Sequence, residues 1–278
     1  MRRNWRGEEA LGETRAVVKA APVAGGLDWA DIFGRKALLH VEIGVGKGDF
    51  ILSTAGLNPR IDYVGIERSL SILYIAAKKN EESPRSNLRF LPIDAGMSGS
   101  YFASGSVDRI YLNFSDPWPK TRHESRRLTA KGKLSLYREL LRPGGQVFFK
   151  TDQSLFFEFS MKEFINEGWS VGKICRDLHN SGIEGNIMTE YERRFAALGM
   201  PIYSFVATSG GRQERPREIQ ANGERESTGD AHGTRGARGV DCIGGARGVD
   251  RVESARDAKG VDCIGDALDA DCAGGGRD

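Results

Sequence analysis

Cysteine is scarce wherever this chain carries enough apolar residues to fold. Of the four, only Cys175 lies within residues 1–207; Cys242, Cys263 and Cys272 fall beyond, and no CxxC pair or Cys/His spacing occurs. That excludes a disulfide framework and a zinc module, and the usage fits a reducing cytoplasm with no structural metal. No stretch approaches the roughly 20 apolar residues of a membrane span. Arg2, Arg3 and Arg6 are followed by Glu8 and Glu9, and Lys19 interrupts the only apolar run nearby, so no signal peptide is expected either. Aromatic side chains are absent from residues 208–278, a segment rich in Gly, Asp and Arg that echoes itself as GARGVD, GARGVD and KGVDCIGD. Such a segment cannot bury enough apolar surface to offset its ordering entropy, and it reads as a disordered, low-complexity tail.

Setting the tail aside changes the charge balance. It holds 11 of the 40 basic and 14 of the 38 acidic side chains, so residues 1–207 keep 29 and 24, a net +5 against +2 for the whole chain. A mildly basic folded part permits a nucleic-acid partner without demonstrating one.

Residues 1–27 are mixed in character, end in PVAGG, and read as an arm or linker. A short helical lead-in over Leu27 to Phe33 follows, with Trp29 and Phe33 on one face. From Ala37 onward the pattern alternates. ALLHVEI, DYVGIE, LRFLPI, VDRIYLNF, QVFFKT, the stretch Trp169 to Cys175 and IYSFVA have strand character. KGDFILSTAG, SLSILYIAAKKNEE, LTAKGKLSLYRELL and SLFFEFSMKEFINEG have helical spacing, and residues 177–200 read as a loop. Strand alternating with helix predicts an α/β, Rossmann-like, doubly wound and mostly parallel sheet over residues 28–207, with ligands beyond the C-terminal ends of the strands. Tyr74, Phe156, Phe157 and Phe159 are assigned to the core.

Three strand ends carry acids. The first runs into Glu42-Ile43-Gly44-Val45-Gly46-Lys47-Gly48, a glycine-rich turn that admits close approach of a ligand. Asp49 stands where a dinucleotide fingerprint needs its third glycine, and no Lys-Ser or Lys-Thr pair completes a P-loop. Glu67 ends the second strand, where an acid can accept both hydroxyls of a ribose; Asp94 ends the third, where an acid can meet an adenine amino group. Acids without a phosphate-binding side chain suit a nucleoside that carries positive charge, such as S-adenosylmethionine.

The fourth strand delivers Asn113 to Arg127, NFSDPWPKTRHESRR. Pro117 and Pro119 stiffen a loop presenting Asp116 and Trp118; Lys120, Arg122, His123, Arg126 and Arg127 form a cationic strip suited to a phosphate backbone, or alternatively a solvated helix start. Asp152 ends the fifth strand, and Thr189-Glu190-Tyr191-Glu192 can fold back over the same edge. Carboxylates there suit guanine, whose Watson-Crick edge donates from N1 and N2 while N7 faces the other way as a bare acceptor. N7 has no proton to lose, so methyl transfer to it requires alignment and stabilisation of the developing ring charge rather than a general base. Asp116 is the expected stabiliser. Trp118 is either a base contact or loop packing, and Asp152 and Glu192 alternatively pair with Lys150 and with Arg193 or Arg194. An exocyclic-amino base methyltransferase and a non-catalytic RNA-binding module are the competing readings.

NFSDPWPKTRHESRRLT, VEIGVGKG, VGIE, KTD and DLHNSGIEGNIMTEYERRF together resemble the bacterial tRNA (guanine-N7)-methyltransferase family, TrmB, over about residues 27–207. The resemblance implies a class I methyltransferase fold and S-adenosylmethionine-dependent methylation of the variable-loop guanosine at tRNA position 46. It implies cofactor binding by Glu42, Gly44, Gly46, Glu67, Asp94 and Asp116, with Asp116 also the catalytic residue. Substrate binding falls to Lys120, Asp152, Thr189, Glu190, Tyr191 and Glu192, and RNA contact to Arg122, His123, Arg126 and Arg127. Ser125 stands where many relatives have Lys, and the tail lies outside the family pattern.

Overall fold

A strand buried at every residue, polar ones included, makes sense only where both faces are covered, and the first strand, LHVEI, sets the centre of the sheet. In the computed structural model, which describes residues 11–183 and 185–210, α1 (Trp29–Phe33) precedes β1 (Leu39–Ile43), every residue of which is buried. The chain continues through α2 (Asp49–Leu57), β2 (Asp62–Ile66), α3 (Leu70–Glu82) and β3 (Leu88–Leu91). After β4 (Val107–Asn113) come α4 (Lys131–Leu140), β5 (Leu141–Thr151), α5 (Ser154–Asn166), β6 (Ser170–Cys175), α6 (Glu190–Ala197) and β7 (Tyr203–Thr208). Short 3-10 helices cover Ala95–Ser100 and Thr121–Arg126.

The seven strands lie in the order β3-β2-β1-β4-β5-β7-β6. The pairings from β3 to β5 are parallel, whereas β7 runs antiparallel to both β5 and β6. Strand order reverses beside β1, which puts the switch-point crevice between the C-terminal ends of β1 and β4. Side chains alternate across the sheet: Leu39, Val41 and Ile43 join one core with Leu134, Tyr137, Phe157, Phe164 and Phe205, and the opposite face packs Phe50, Ile51, Leu73, Ala76 and Tyr111. Each large apolar side chain so buried contributes about 1.5–3 kcal/mol relative to exposure.

Four features depart from the sequence reading. Residues 11–18, expected within an arm or linker, lie along the outer edge of β3: Phe90 N donates to Ala16 O at 2.8 Å and Val18 N to Phe90 O at 2.9 Å, with Leu11, Ala16 and Val17 buried. They cover what would otherwise be an open sheet edge. The Arg142-Pro143-Gly144-Gly145 helix stop sits inside β5 as a register shift, because Val107 pairs with Leu141 but Arg109 with Gln146. The expected loop over 177–200 contains α6, capped by Thr189. β7 runs through Thr208 rather than ending at 207, and Ser209 N donates to Gly145 O at 2.9 Å. The remainder of the expected tail, with its three cysteines, lies outside the described residues. Among the described residues no helix is long and apolar enough to cross a membrane.

Candidate active site at the strand ends

The turn after β1 is built for close approach. Gly44, Gly46 and Gly48 have φ of +82°, +58° and +85°, a region that costs a residue with a Cβ. Gly44 N and Val45 N donate to Ile66 O at 2.8 and 3.1 Å, stitching the turn to β2. A Cβ at Gly46 would meet nothing within 4 Å and one at Gly44 only Leu128 Cδ1 at 3.8 Å, so both glycines face open space. Gly48 differs: a Cβ there would lie 2.7 Å from that of Ala76, so this glycine serves the packing of α2 on α3.

Glu42 lies beneath the turn, 2% exposed. Its Oε1 accepts from Asn113 Nδ2 at 2.8 Å, while Oε2 is buried without a hydrogen-bond partner among the described residues. Burial pushes its carboxyl up from an ordinary 4.5 to about 8, against the opposing pull of the Asn113 hydrogen bond and the Lys150 charge. A buried polar oxygen left without a partner is costly, and a hydrogen-bonding group arriving in the cleft would satisfy it. The folded value exceeds the unfolded one, so the contribution to stability is fully present below about 4.5 and is lost as pH rises through about 8. Melting curves across that window should therefore show the wild type losing ground to Glu42→Gln as pH rises; parallel profiles would contradict the assignment.

The other acids are held in place by backbone donors. Glu67 accepts from Gly46 N at 3.2 Å and Ser69 N at 2.9 Å, tying β2 to the glycine turn. Asp94 accepts from Gly96 N at 2.8 Å as the cap of a 3-10 helix, faces Lys133 at 3.6 Å, and remains largely exposed.

At the end of β4 the backbone is unusual. Phe114 and Trp118 take φ of +50° and +39°, flanking the exposed Asp116. Non-glycine residues in this region cost about 1–3 kcal/mol each and persist where the surroundings enforce them, characteristically at functional sites. Phe114 N donates to Lys150 O at 2.9 Å, and the Phe114 ring lies 5.2 Å from that of Tyr191. Tyr191 OH donates to Asp152 Oδ2 at 3.3 Å. Tyr191 thus brings the Asp116 loop and the end of β5 together. Its hydroxyl is pushed above its ordinary value by burial and by the neighbouring Asp152.

Two expected substrate residues sit otherwise than the sequence suggested. Glu192 is fully buried: Oε2 accepts from Lys150 Nζ at 2.9 Å and Oε1 from Asn186 Nδ2 at 2.6 Å, while Lys150 also donates to Asn186 Oδ1 and Ile187 O at 3.0 and 3.1 Å. It pins the segment over the strand edge instead of presenting a carboxylate to the cleft. Thr189 spends its hydroxyl on the first turn of α6, accepting from Glu192 N at 2.9 Å. Glu190 begins that helix.

The cationic strip also divides. Lys120, Arg122 and Arg126 are exposed; Arg126 lies over the Trp118 ring at 5.0 Å, and His123 meets the ring edge-on at 5.6 Å. Arg127, expected to contact RNA, is buried and hydrogen-bonded to the Pro-Trp-Pro loop. Sequence reasoning gave no role to Asn113 or Asn186. Lys150 was named only as an alternative ion-pair partner of Asp152 or Glu192, and the structure pairs it with Glu192.

Comparison with known proteins places this architecture. Residues 36–205 match the family model Methyltransf_4, described as "Putative methyltransferase". The tRNA (guanine-N(7)-)-methyltransferase of Bacillus subtilis is 45% identical over 196 residues, covering 70% of this chain and 92% of the relative. The chain belongs to the tRNA (guanine-N7)-methyltransferase family. A second family member, from Lachnoclostridium phytofermentans, is 49% identical over 180 residues, 64% of this chain and 84% of its own. Among solved structures, the 16S rRNA methyltransferase KamB superposes with a TM-score of 0.52 at 14% identity, covering 68% of this chain and 99% of that one. An antibiotic-related methyltransferase gives 0.50 at 20% identity over the same shares. Both show the class I methyltransferase fold. S-adenosylmethionine fits this family member's cleft on its own geometry: Gly44 and Gly46 leave room, Glu67 is held at the end of β2, and Glu42 Oε2 is a buried oxygen without a hydrogen-bond partner among the described residues.

Proposed function

We propose that this protein methylates N7 of a guanosine in tRNA, at the variable-loop position 46, using S-adenosylmethionine, and that it works in the cytoplasm with residues 28–207 as the methyltransferase domain. The observation that supports the chemistry is the link Tyr191 makes between Asp152, just past the end of β5, and Phe114 at the start of the strained loop that carries the exposed Asp116.

Glu42, Gly44, Gly46, Glu67 and Asp94 would hold the cofactor, which when bound supplies an electrophilic methyl group. The chain's own residues do the rest. Asp152, fixed by Tyr191 and by Gln153 Nε2 at 2.7 Å, is placed to accept from the N1 and N2 donors of guanine. Adenine would set an acceptor against the same carboxylate, at a cost of about 1–3 kcal/mol for the group left unpaired. Asp116 faces the ring and stabilises the positive charge that N7 acquires. With no proton on N7 to remove, no side chain needs to act as a base. Lys120, Arg122, His123 and Arg126 form the surface for the tRNA backbone, and Trp118, its face already under Arg126, is a wall of that surface.

Incubation of tRNA with the protein and labelled methyl donor, followed by digestion and mass analysis of nucleosides, tests the reading: 7-methylguanosine from the variable loop is expected, and a methyl group on an exocyclic nitrogen would refute it. Neutralising Arg122 and Arg126 together should flatten the salt dependence of tRNA binding by about 0.7–0.9 log units per log unit of salt for each lost contact. An unchanged slope would move the RNA footprint elsewhere.

A further inference from the structure

Arg126 and Arg127 are adjacent and chemically identical, yet the fold leaves the first exposed and buries the second. Arg127 turns inward and is 9% exposed. Its Nε donates to Pro117 O at 2.9 Å and its Nη2 to Trp118 O at 3.1 Å, so one planar guanidinium fixes two successive carbonyls. The Phe159 ring of α5 lies 4.0 Å beneath that plane, and Glu124 Oε2 stands 3.6 Å from Nη1. Its head is thus sandwiched between helix and loop. A phosphate contact needs a cation that reaches solvent, and this one does not.

The loop it grips needs a grip. Phe114 and Trp118, with φ of +50° and +39°, are held where side chains bearing a Cβ rarely rest. Pro117 restricts Asp116 to extended backbone, so the direction of the Asp116 carboxylate follows from where the next two peptide units are fastened. Arg127 fastens both.

We propose that Arg127 is a positioning residue for methyl transfer: its fork locks the Pro117-Trp118 peptides onto α5 and thereby aims Asp116 into the cleft. The inference rests on the reading of Asp116 as the active-site carboxylate. It separates cleanly from RNA binding because lysine keeps the charge but cannot reproduce a planar bidentate fork. A phosphate contact would survive Arg127→Lys; a two-carbonyl clamp would not.

The test compares Arg127→Lys with Phe159→Leu, which removes the ring beneath the guanidinium and leaves every charge in place. Both are assayed for kcat, for KM with tRNA, and for the salt slope of tRNA binding, with a fluorotryptophan at position 118 followed by fluorine NMR. Arg127→Lys should lower kcat about 100-fold, the effect of misplacing a catalytic group by about 1 Å, with KM and salt slope unchanged and the fluorine resonance shifted. Phe159→Leu should move the same readouts in the same direction, by about 10-fold in kcat. Turnover within two-fold of wild type in Arg127→Lys, or a lowered salt slope with weakened tRNA binding, would overturn the proposal. Should Arg127→Lys fail to fold, full turnover in Phe159→Leu overturns it alone. Failure of the underlying reading looks different, because Asp116→Ala would then stay active.

Discussion

Asp116→Ala should lose methyl transfer by about 100- to 1,000-fold in kcat, the range seen when one preorganised group facing developing charge is removed, while binding tRNA within a factor of two or three of wild type. The expectation follows from where the side chain sits. Asp116 is exposed, and among the described residues no ion pair ties it to the exposed cations Lys120, Arg122 and Arg126 that would meet the polynucleotide. Its removal leaves no buried partner unpaired, so the variant should fold normally. Asp116→Asn separates charge from shape: the amide keeps the volume and polarity but cannot stabilise a cationic ring, and it should resemble the alanine variant in kcat. If the asparagine variant instead retains most activity, Asp116 acts through hydrogen bonding to the base, and the electrostatic role assigned to it is wrong. A large loss of tRNA affinity in either variant would place Asp116 in the RNA surface rather than at the reacting nitrogen.

The sheet and its switch point were legible because their signals are local. Runs such as HVEI and YVGI can be buried only as central parallel strands, and the glycines at 44 and 46 announce a turn that a ligand must approach. The acids at 42, 67 and 94 could be placed at strand ends for the same reason. What escaped were choices settled by tertiary contacts. Arg126 and Arg127 cannot be told apart in a string of basic residues, since only the position of α5 and Phe159 decides which turns inward. Half of the short helix α6 is charged, and its first turn depends on the Thr189 cap and on the buried ion pair of Glu192 rather than on propensity. The acid in Thr-Glu-Tyr-Glu looked like a base reader because sequence shows charge but not exposure.

That ion pair leads to the second large effect. Glu192→Ala would leave the Lys150 ammonium, only 11% exposed, without its carboxylate partner, and breaking a buried pair from one side costs about 3–5 kcal/mol. Asn186 and the carbonyl of Ile187 remain as acceptors for Lys150, which argues for the lower end of that range. The loss should be local before it is global: the segment around Asn186 to Ala197 is tied to β5 chiefly through Lys150 and through Tyr191, so hydrogen exchange should rise there first while β1 and β4 stay protected. Activity should fall with it, because Tyr191 carries Asp152 and abuts Phe114 just before Asp116. Replacing both partners together, Lys150→Met with Glu192→Leu, removes the charges as a unit, and a pair so exchanged is often neutral in stability. The double variant should therefore recover most of the melting temperature lost by Glu192→Ala. If it recovers none, the pair's hydrogen bonds to Asn186 and Ile187 hold the segment, not the charge pairing. If Glu192→Ala melts like wild type yet loses affinity for guanosine, Glu192 reads the base after all, and the buried pair gives way when substrate enters.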